Sequence, residues 1–272
     1  MVAITASKHH LAIAEIVLFC LVQLIQFITR YSQEWRYWHH TKRKSHPRCI
    51  FYAWFGMIGL LAQVRIASAA IVLSDPHPNK TKLIAEQSLQ HIGLSPLLFE
   101  MSLVLLRRYI EGKKSGQTGR SGPGNSRYPR FTRFALHFFR FPVFFGIVLL
   151  IVAACTGIRA CALAGAIVLL LAFAVGVFLT AWLAIGYRTV LPACSRHCVL
   201  LVLCAVPMYT VRIAYALLTE FGPATFKSGH EQVGVTVGMG LLMELAIITL
   251  LFAARTVAEP FWATDCVEGV QA

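Results

Sequence analysis

V-R-I-A-S-A, from Val64 to Ala69, and V-R-I-A-Y-A, from Val211 to Ala216, are near-copies of one another, and each sets an arginine inside an apolar run. A charge at such a depth in hydrocarbon costs about 3 kcal/mol or more unless something pairs with it. The next apolar segment after each string carries a glutamate: Glu100 follows Arg65, and Glu244 follows Arg212. The simplest account is a duplicated helix pair, each copy holding one Arg and one Glu. It marks the polar interior of a membrane bundle.

Outward from these strings, the chain is too apolar for an ordinary soluble domain: 57% of its 272 residues are hydrophobic. Seven stretches have the length of a bilayer crossing, about 11–29, 49–73, 84–106, 136–158, 161–187, 198–219 and 233–254. Hydrocarbon offers backbone groups no partner, and the stretches are too continuous for barrel strands, so helices are expected. The fold class that follows is an all-α integral membrane protein, a single seven-transmembrane-helix bundle over residues 1–272. The first stretch is read as a retained span, because it is long for a signal sequence and contains Glu15.

Charge sets the expected orientation. With the N-terminus outside, the inner loops hold 17 Lys and Arg, among them Arg30, Lys42, Lys44, Arg120 and Arg196, against five outside: Lys8, Lys80, Lys82, Arg159 and Lys227. The positive-inside rule then places the C-terminus in the cytosol and Asn79, part of an N-K-T sequon, outside. Residues 109–133, rich in Gly, Ser and charge, form an expected disordered cytosolic linker. That linker and a lone fourth span separate spans one to three from spans five to seven, a parallel 3+1+3 internal repeat. The net charge of +13 is thus a loop property, and nucleic acid is not an expected partner. Tyr31, Trp35, Tyr37 and Trp38 beside Arg36 read as an interfacial aromatic belt facing membrane lipids.

Eight cysteines do not form a secreted disulfide framework, since most fall in spans or on the cytosolic side. Cys155 and Cys161 flank a short outer loop and have the placement for a bridge, though packing as small apolar residues is the preferred role. Cys194, His197 and Cys198 lack a fourth ligand nearby, so no metal site is assigned. Pro96, four residues before Glu100, and Pro207, five before Arg212, are expected to bend their spans beside the charged positions. Gly234 and Gly238 are expected to let the last helix approach a neighbour closely.

The charged and titratable candidates within the spans are Glu15, Arg65, His91, Glu100, Arg212 and Glu244, arranged as one polar column with Gln63, Gln87, Gln90, Tyr209 and Tyr215 extending its hydrogen bonding. If Glu100 takes one arginine and Glu15 the other, Glu244 is left as a neutral acid able to donate a proton. Catalytic candidates are therefore Glu244, Glu100 and Glu15, and substrate-binding candidates are Arg65, His91, Tyr209, Arg212 and Tyr215. The only two Asp residues, Asp75 and Asp265, lie outside the spans, which disfavours a magnesium diphosphate site. No histidine pair has di-iron spacing, no G-x-S-x-G elbow or P-loop occurs, and the last span has no lysine for retinal. No cofactor is expected.

The segments Q-V-R-I-A-S-A, H-I-G-L-S-P-L-L, V-P-M-Y-T-V-R-I-A-Y-A-L-L and M-E-L resemble the landmarks of a fungal family of seven-span integral membrane proteins that has no assigned general function. The resemblance covers most of the chain. It implies a multi-pass protein of the endoplasmic reticulum or plasma membrane, associated with secondary metabolism, and carries over Arg65, Pro96, Arg212, Tyr215 and Glu244 as pattern positions without roles. Three functions fit these features. The preferred one is a metal-independent, proton-initiated cyclase or isomerase of an isoprenoid or meroterpenoid, with a buried Glu as acid. The second is a carrier or exporter of lipophilic metabolites, and the third is a seven-span sensor. The expected partners are a lipophilic small-molecule substrate and membrane lipids, and self-association into a homo-oligomer is left open.

Overall fold

The computed structural model describes residues 6–40, 46–74, 85, 89, 93–105, 138–185, 193–222 and 233–257. His91, Asn79, Gln87, Gln90 and the linker 109–133 lie outside the described residues. The described chain is helical throughout: α1 Ala6–His40, α2 His46–Trp54, α3 Met57–Ser74, α4 Leu94–Leu105, α5 Arg140–Thr156, α6 Arg159–Ile185, α7 Ala193–Phe221, α8 Val233–Val235 and α9 Met243–Val257. A seven-residue π-helical turn, Thr236–Leu242, joins α8 to α9.

Five of these segments are long and apolar enough to cross a bilayer: Lys8–Gln33, Met57–Ser74, Arg159–Ile185, His197–Thr219 and Thr236–Val257. Two shorter apolar helices, Leu94–Leu105 and Arg140–Ala153, lie where the third and fourth crossings were expected. The side chains are arranged inside out. Along α1, Ile13, Val17, Leu21, Leu24 and Ile28 recur at helical spacing and are all exposed, as are Leu163, Ile167, Leu171, Phe178 and Trp182 on α6. Arg65, Glu100, Arg212, Glu244 and Arg255 are buried. Water would penalise both choices; lipid around the bundle favours the first and drives the second. The chain is an α-helical, multi-pass membrane protein.

At 35 residues, α1 is about 52 Å long, well beyond the roughly 30 Å of a hydrocarbon core. Its far end carries a ring ladder at one-turn spacing: Phe27 stacks on Tyr31 at 5.9 Å, and Tyr31 on Trp35 at 6.1 Å. Trp54 meets Phe27 edge-on at 6.0 Å. These amphipathic rings mark an interfacial level.

Two expected spans are not single helices. The second breaks at Phe55 and Gly56, between α2 and α3. The break frees the Trp54 carbonyl, and two amides meet it: Gln23 Nε2 at 3.4 Å and Gln63 Nε2 at 3.3 Å. Gln63, expected to extend the charged column, instead satisfies this carbonyl, which membrane burial would otherwise penalise. The third span turns at Gly93 before α4 begins at Leu94. Pro96 therefore falls in the first turn of α4, where its lack of an N–H costs nothing. It opens a helix, in contrast to the mid-span bend expected from sequence. Pro207 lies inside α7, which continues through it with the ring exposed.

Helices α5 and α6 form a tight hairpin. Gly157 adopts φ 72°, and its N–H bonds to the Ala153 carbonyl at 2.8 Å, closing α5 two residues before α6 starts. Only glycine takes that left-handed conformation without strain. Beyond the turn the two backbones nearly touch: a Cβ at Gly165 would sit 2.8 Å from the Gly146 carbonyl. This is the close approach expected of Gly234 and Gly238, but it occurs elsewhere. A Cβ at either of those two would meet nothing within 4 Å. Cys155 and Cys161, on either side of the turn, are both free thiols.

Candidate functional site

Four helices deliver charge to one depth. Glu15 lies nine residues into α1, Arg65 nine before the end of α3 at Ser74, and Arg212 nine before the end of α7 at Phe221. Nine residues of helix rise about 13 Å. Glu244, at the second position of α9, is eleven residues past Val233. The upper end of the bundle is taken here as the end where α1 starts and α3 and α7 finish.

At this level both arginines converge on one carboxylate. Arg65 grips Glu244 in two-pronged fashion: its Nε donates to Oε1 at 3.0 Å, and its Nη2 donates to Oε2. The Arg212 Nε stands 3.6 Å from the same Oε2, a charge contact beyond hydrogen-bonding distance. The Arg212 guanidinium also lies 5.4 Å from the centre of the Tyr215 ring, three residues on. Tyr215 is buried against Gly240, where a Cβ would come within 3.4 Å of its ring. Half-buried Glu15 completes the set, and its charge acts on both guanidiniums. Glu244 is 1% exposed. A paired guanidinium and carboxylate are sustained at that burial only by such geometry.

The expected division of partners is overturned. Glu100 pairs with an arginine outside the repeated strings: its carboxylate Oε1 lies 3.4 Å from Nη1 of Arg255. Glu244, expected to be left over as a neutral acid, is the carboxylate on which both Arg65 and Arg212 converge. The reason is geometric: the π turn of Thr236–Leu242, with i→i+5 bonding, resets the rotation of α9 just before Glu244. Three glycines among Gly234, Gly238 and Gly240 weaken the preference for regular helix there. Glycine content was the available signal, and it reads as easily as a packing motif.

The polar column is also divided. The same Arg255 Nη1 donates to Oε1 of Gln26 on α1 at 3.3 Å, and Arg140 Nε donates to Ser102 Oγ of α4 at 3.1 Å. This lower cluster was missed from sequence. A signal existed: Glu15 and Gln26 on α1, like Glu244 and Arg255 on α9, are eleven residues apart. That is close to three full turns, so each helix presents both polar groups on one face, about 16 Å apart in height. Buried apolar residues fill the interval: Phe19 and Val22 on α1, and Ile247, Ile248 and Leu251 on α9.

Tyr209, a binding candidate by sequence, belongs to that interval. It is wholly buried, and its hydroxyl donates to the Leu97 carbonyl at 2.8 Å, tying α7 to α4. Of the sequence candidates, Glu15, Arg65, Arg212, Tyr215 and Glu244 thus come together in the upper cluster. Glu100 sits in the lower one.

A multi-pass helical protein with a buried, arginine-rich ion cluster beside a π turn is the class these features define. A family model described as "Domain of unknown function (DUF7702)" matches residues 5–258, and the chain belongs to that family. No curated protein and no solved structure matches it.

Proposed function

We propose that this protein is a carrier of lipophilic small molecules that bear an anionic head group, with the Glu15, Arg65, Arg212, Tyr215 and Glu244 cluster as its binding site. The observation that carries the reading is the convergence of two buried guanidiniums on a single buried carboxylate, immediately after a π-helical turn. With Glu15 beside them the two arginines and two glutamates balance, and an arriving anion that replaces half-buried Glu15 as counter-ion leaves the two-pronged Arg65 grip on Glu244 in place. Irregular helix beside a mid-membrane ion site is a recurring carrier feature. The alternative of a proton-initiated cyclase or isomerase asks for a carboxylic acid free to reach a substrate, whereas the Glu244 carboxylate is engaged by two guanidiniums.

The topology belongs to the same proposal. Seven crossings, with the N-terminus outside and the C-terminus cytosolic, are supported by the five long apolar helices, by α4 and α5 at the remaining places, and by the 17-to-five loop charge bias. A parallel 3+1+3 repeat is supported by the equal depth of Arg65 and Arg212 within α3 and α7.

The test uses the full chain in proteoliposomes, with radiolabelled farnesyl sulfonate as a permanently charged probe and a neutral prenylated phenol beside it. Protein-dependent, saturable uptake of unchanged sulfonate, lost in Arg212→Gln, is the expected result. Recovery of an isomerised phenol with no sulfonate flux would overturn the carrier reading in favour of the enzyme.

A further inference from the structure

We infer a second binding site, for a phosphate group, at the lower end of the bundle, formed by Gln26 of α1, Arg140 of α5 and Arg255 of α9 around Glu100 and Ser102 of α4. It is separate from the upper cluster and uses none of its residues.

Three buried nitrogen atoms in this cluster have no acceptor among the described residues: Gln26 Nε2, Arg140 Nη2 and Arg255 Nε. Gln26 is wholly buried and Arg255 is 3% exposed. The orientation of the Gln26 amide is dictated by its neighbour: Arg255 Nη1 can only donate, so Gln26 must offer its oxygen there, which turns its NH2 group away as an unmet donor. A buried donor without a partner costs about 1–3 kcal/mol. Three of them, from three different helices and gathered around one carboxylate, are more than packing explains.

All three are donors, and the charge agrees with them. Among the described residues, Arg140 and Arg255 face one carboxylate, Glu100, whose charge acts on Arg140 and whose Oε1 lies 3.4 Å from Arg255. The cluster is therefore short of negative charge and of acceptor oxygens together. A water supplies no charge, and a carboxylate supplies two oxygens in one plane. A phosphate supplies at least three acceptors in a tetrahedral array and the charge, and guanidinium is its preferred partner. The cluster comes nearest the surface at Arg140, which is half-buried while its Nη2 is wholly covered. This is also the end of α1 that carries Arg30, Tyr31 and Trp35, the residue types of an anionic lipid surface. The phosphate has two sources, a phospholipid head group or free phosphate in solution.

The experiment separates them. The full chain is placed in phosphatidylcholine nanodiscs, and either a minor fraction of phosphatidic acid or inorganic phosphate is added, with thermal unfolding and native mass spectrometry as readouts. The expected result is a raised unfolding temperature, together with one bound phosphatidic acid per chain when the source is lipid, or a response to inorganic phosphate alone when it is not. Arg140→Gln and Gln26→Leu should each weaken the response about tenfold, the effect of losing one charge-assisted or buried hydrogen bond, while Arg159→Gln at the opposite end should leave it intact. Should Gln26→Leu fail to fold, the half-buried Arg140→Gln decides alone. The site is overturned if neither phosphate source shifts the unfolding temperature, or if Arg140→Gln responds like the parent protein.

Discussion

Arg65 and Arg212 occupy matching places in two near-identical strings, yet their contacts with Glu244 differ, and the difference is measurable. Arg65 makes two hydrogen bonds to the carboxylate, whereas Arg212 approaches one oxygen at 3.6 Å and leans on Tyr215. Arg65→Leu should therefore lower unfolding free energy by about 3–5 kcal/mol, the range for breaking a buried pair. Arg212→Leu should cost about half of that or less, because Glu244 keeps its two-pronged partner. Reversible unfolding in mixed micelles compares them directly, and equal losses would contradict the asymmetry. At this scale, the sequence identified the charged residues and most of the upper cluster from one physical fact, the expense of a charge in hydrocarbon. It did not identify their pairing, because the partner of a buried charge depends on helix rotation, which sequence order does not carry. Arg255 shows the same limit: near a span end it reads as a loop charge, yet it is buried and holds both Gln26 and Glu100.

Among the elements, the π turn sets the rotation of Glu244 into the cluster. Such a turn holds an extra residue within a helix, so deleting one residue there restores regular helix while leaving the flanking helices close to their original register. A Cβ at Gly238 would meet nothing within 4 Å, so no close backbone approach depends on it and it is the residue to remove. The Gly238 deletion should fold with unfolding temperature unchanged or raised, and should lose the uptake proposed above. Retained uptake would show that the π turn is not part of the site. Gly165 tests the opposite kind of glycine. Gly165→Val forces a side chain against the Gly146 carbonyl and should cost about 1–3 kcal/mol through overpacking, read as a lower unfolding temperature with uptake per folded molecule unchanged. Apolar length and continuity made the helices legible. Their interruptions were less so: the break at Phe55 and Gly56 and the turn at Gly93 sit within apolar sequence, and only the amides of Gln23 and Gln63 meeting the Trp54 carbonyl show how the first of these survives in a membrane.

As a whole, the bundle is two charged levels separated by an apolar one, with lipid-facing stripes around it. Parallel helices α1 and α9 set the spacing, each with polar groups eleven residues apart, so the Glu15 and Glu244 level and the Gln26 and Arg255 level align without any kink in α9 between them. The apolar interval of Phe19, Val22, Ile247, Ile248 and Leu251 holds the two levels about 16 Å apart, beyond direct contact. The central claim is that Glu244 is the shared counter-ion of the upper level while Glu100 belongs to the lower. A set of double-mutant cycles in unfolding free energy tests it: Arg65→Leu and Arg212→Leu, each combined with Glu244→Gln and with Glu100→Gln. The account predicts couplings of about 1–3 kcal/mol for Arg65 with Glu244, a smaller coupling for Arg212 with Glu244, and additivity within about 0.5 kcal/mol for either arginine with Glu100; a coupling of Arg65 to Glu100 as large as its coupling to Glu244 would contradict it.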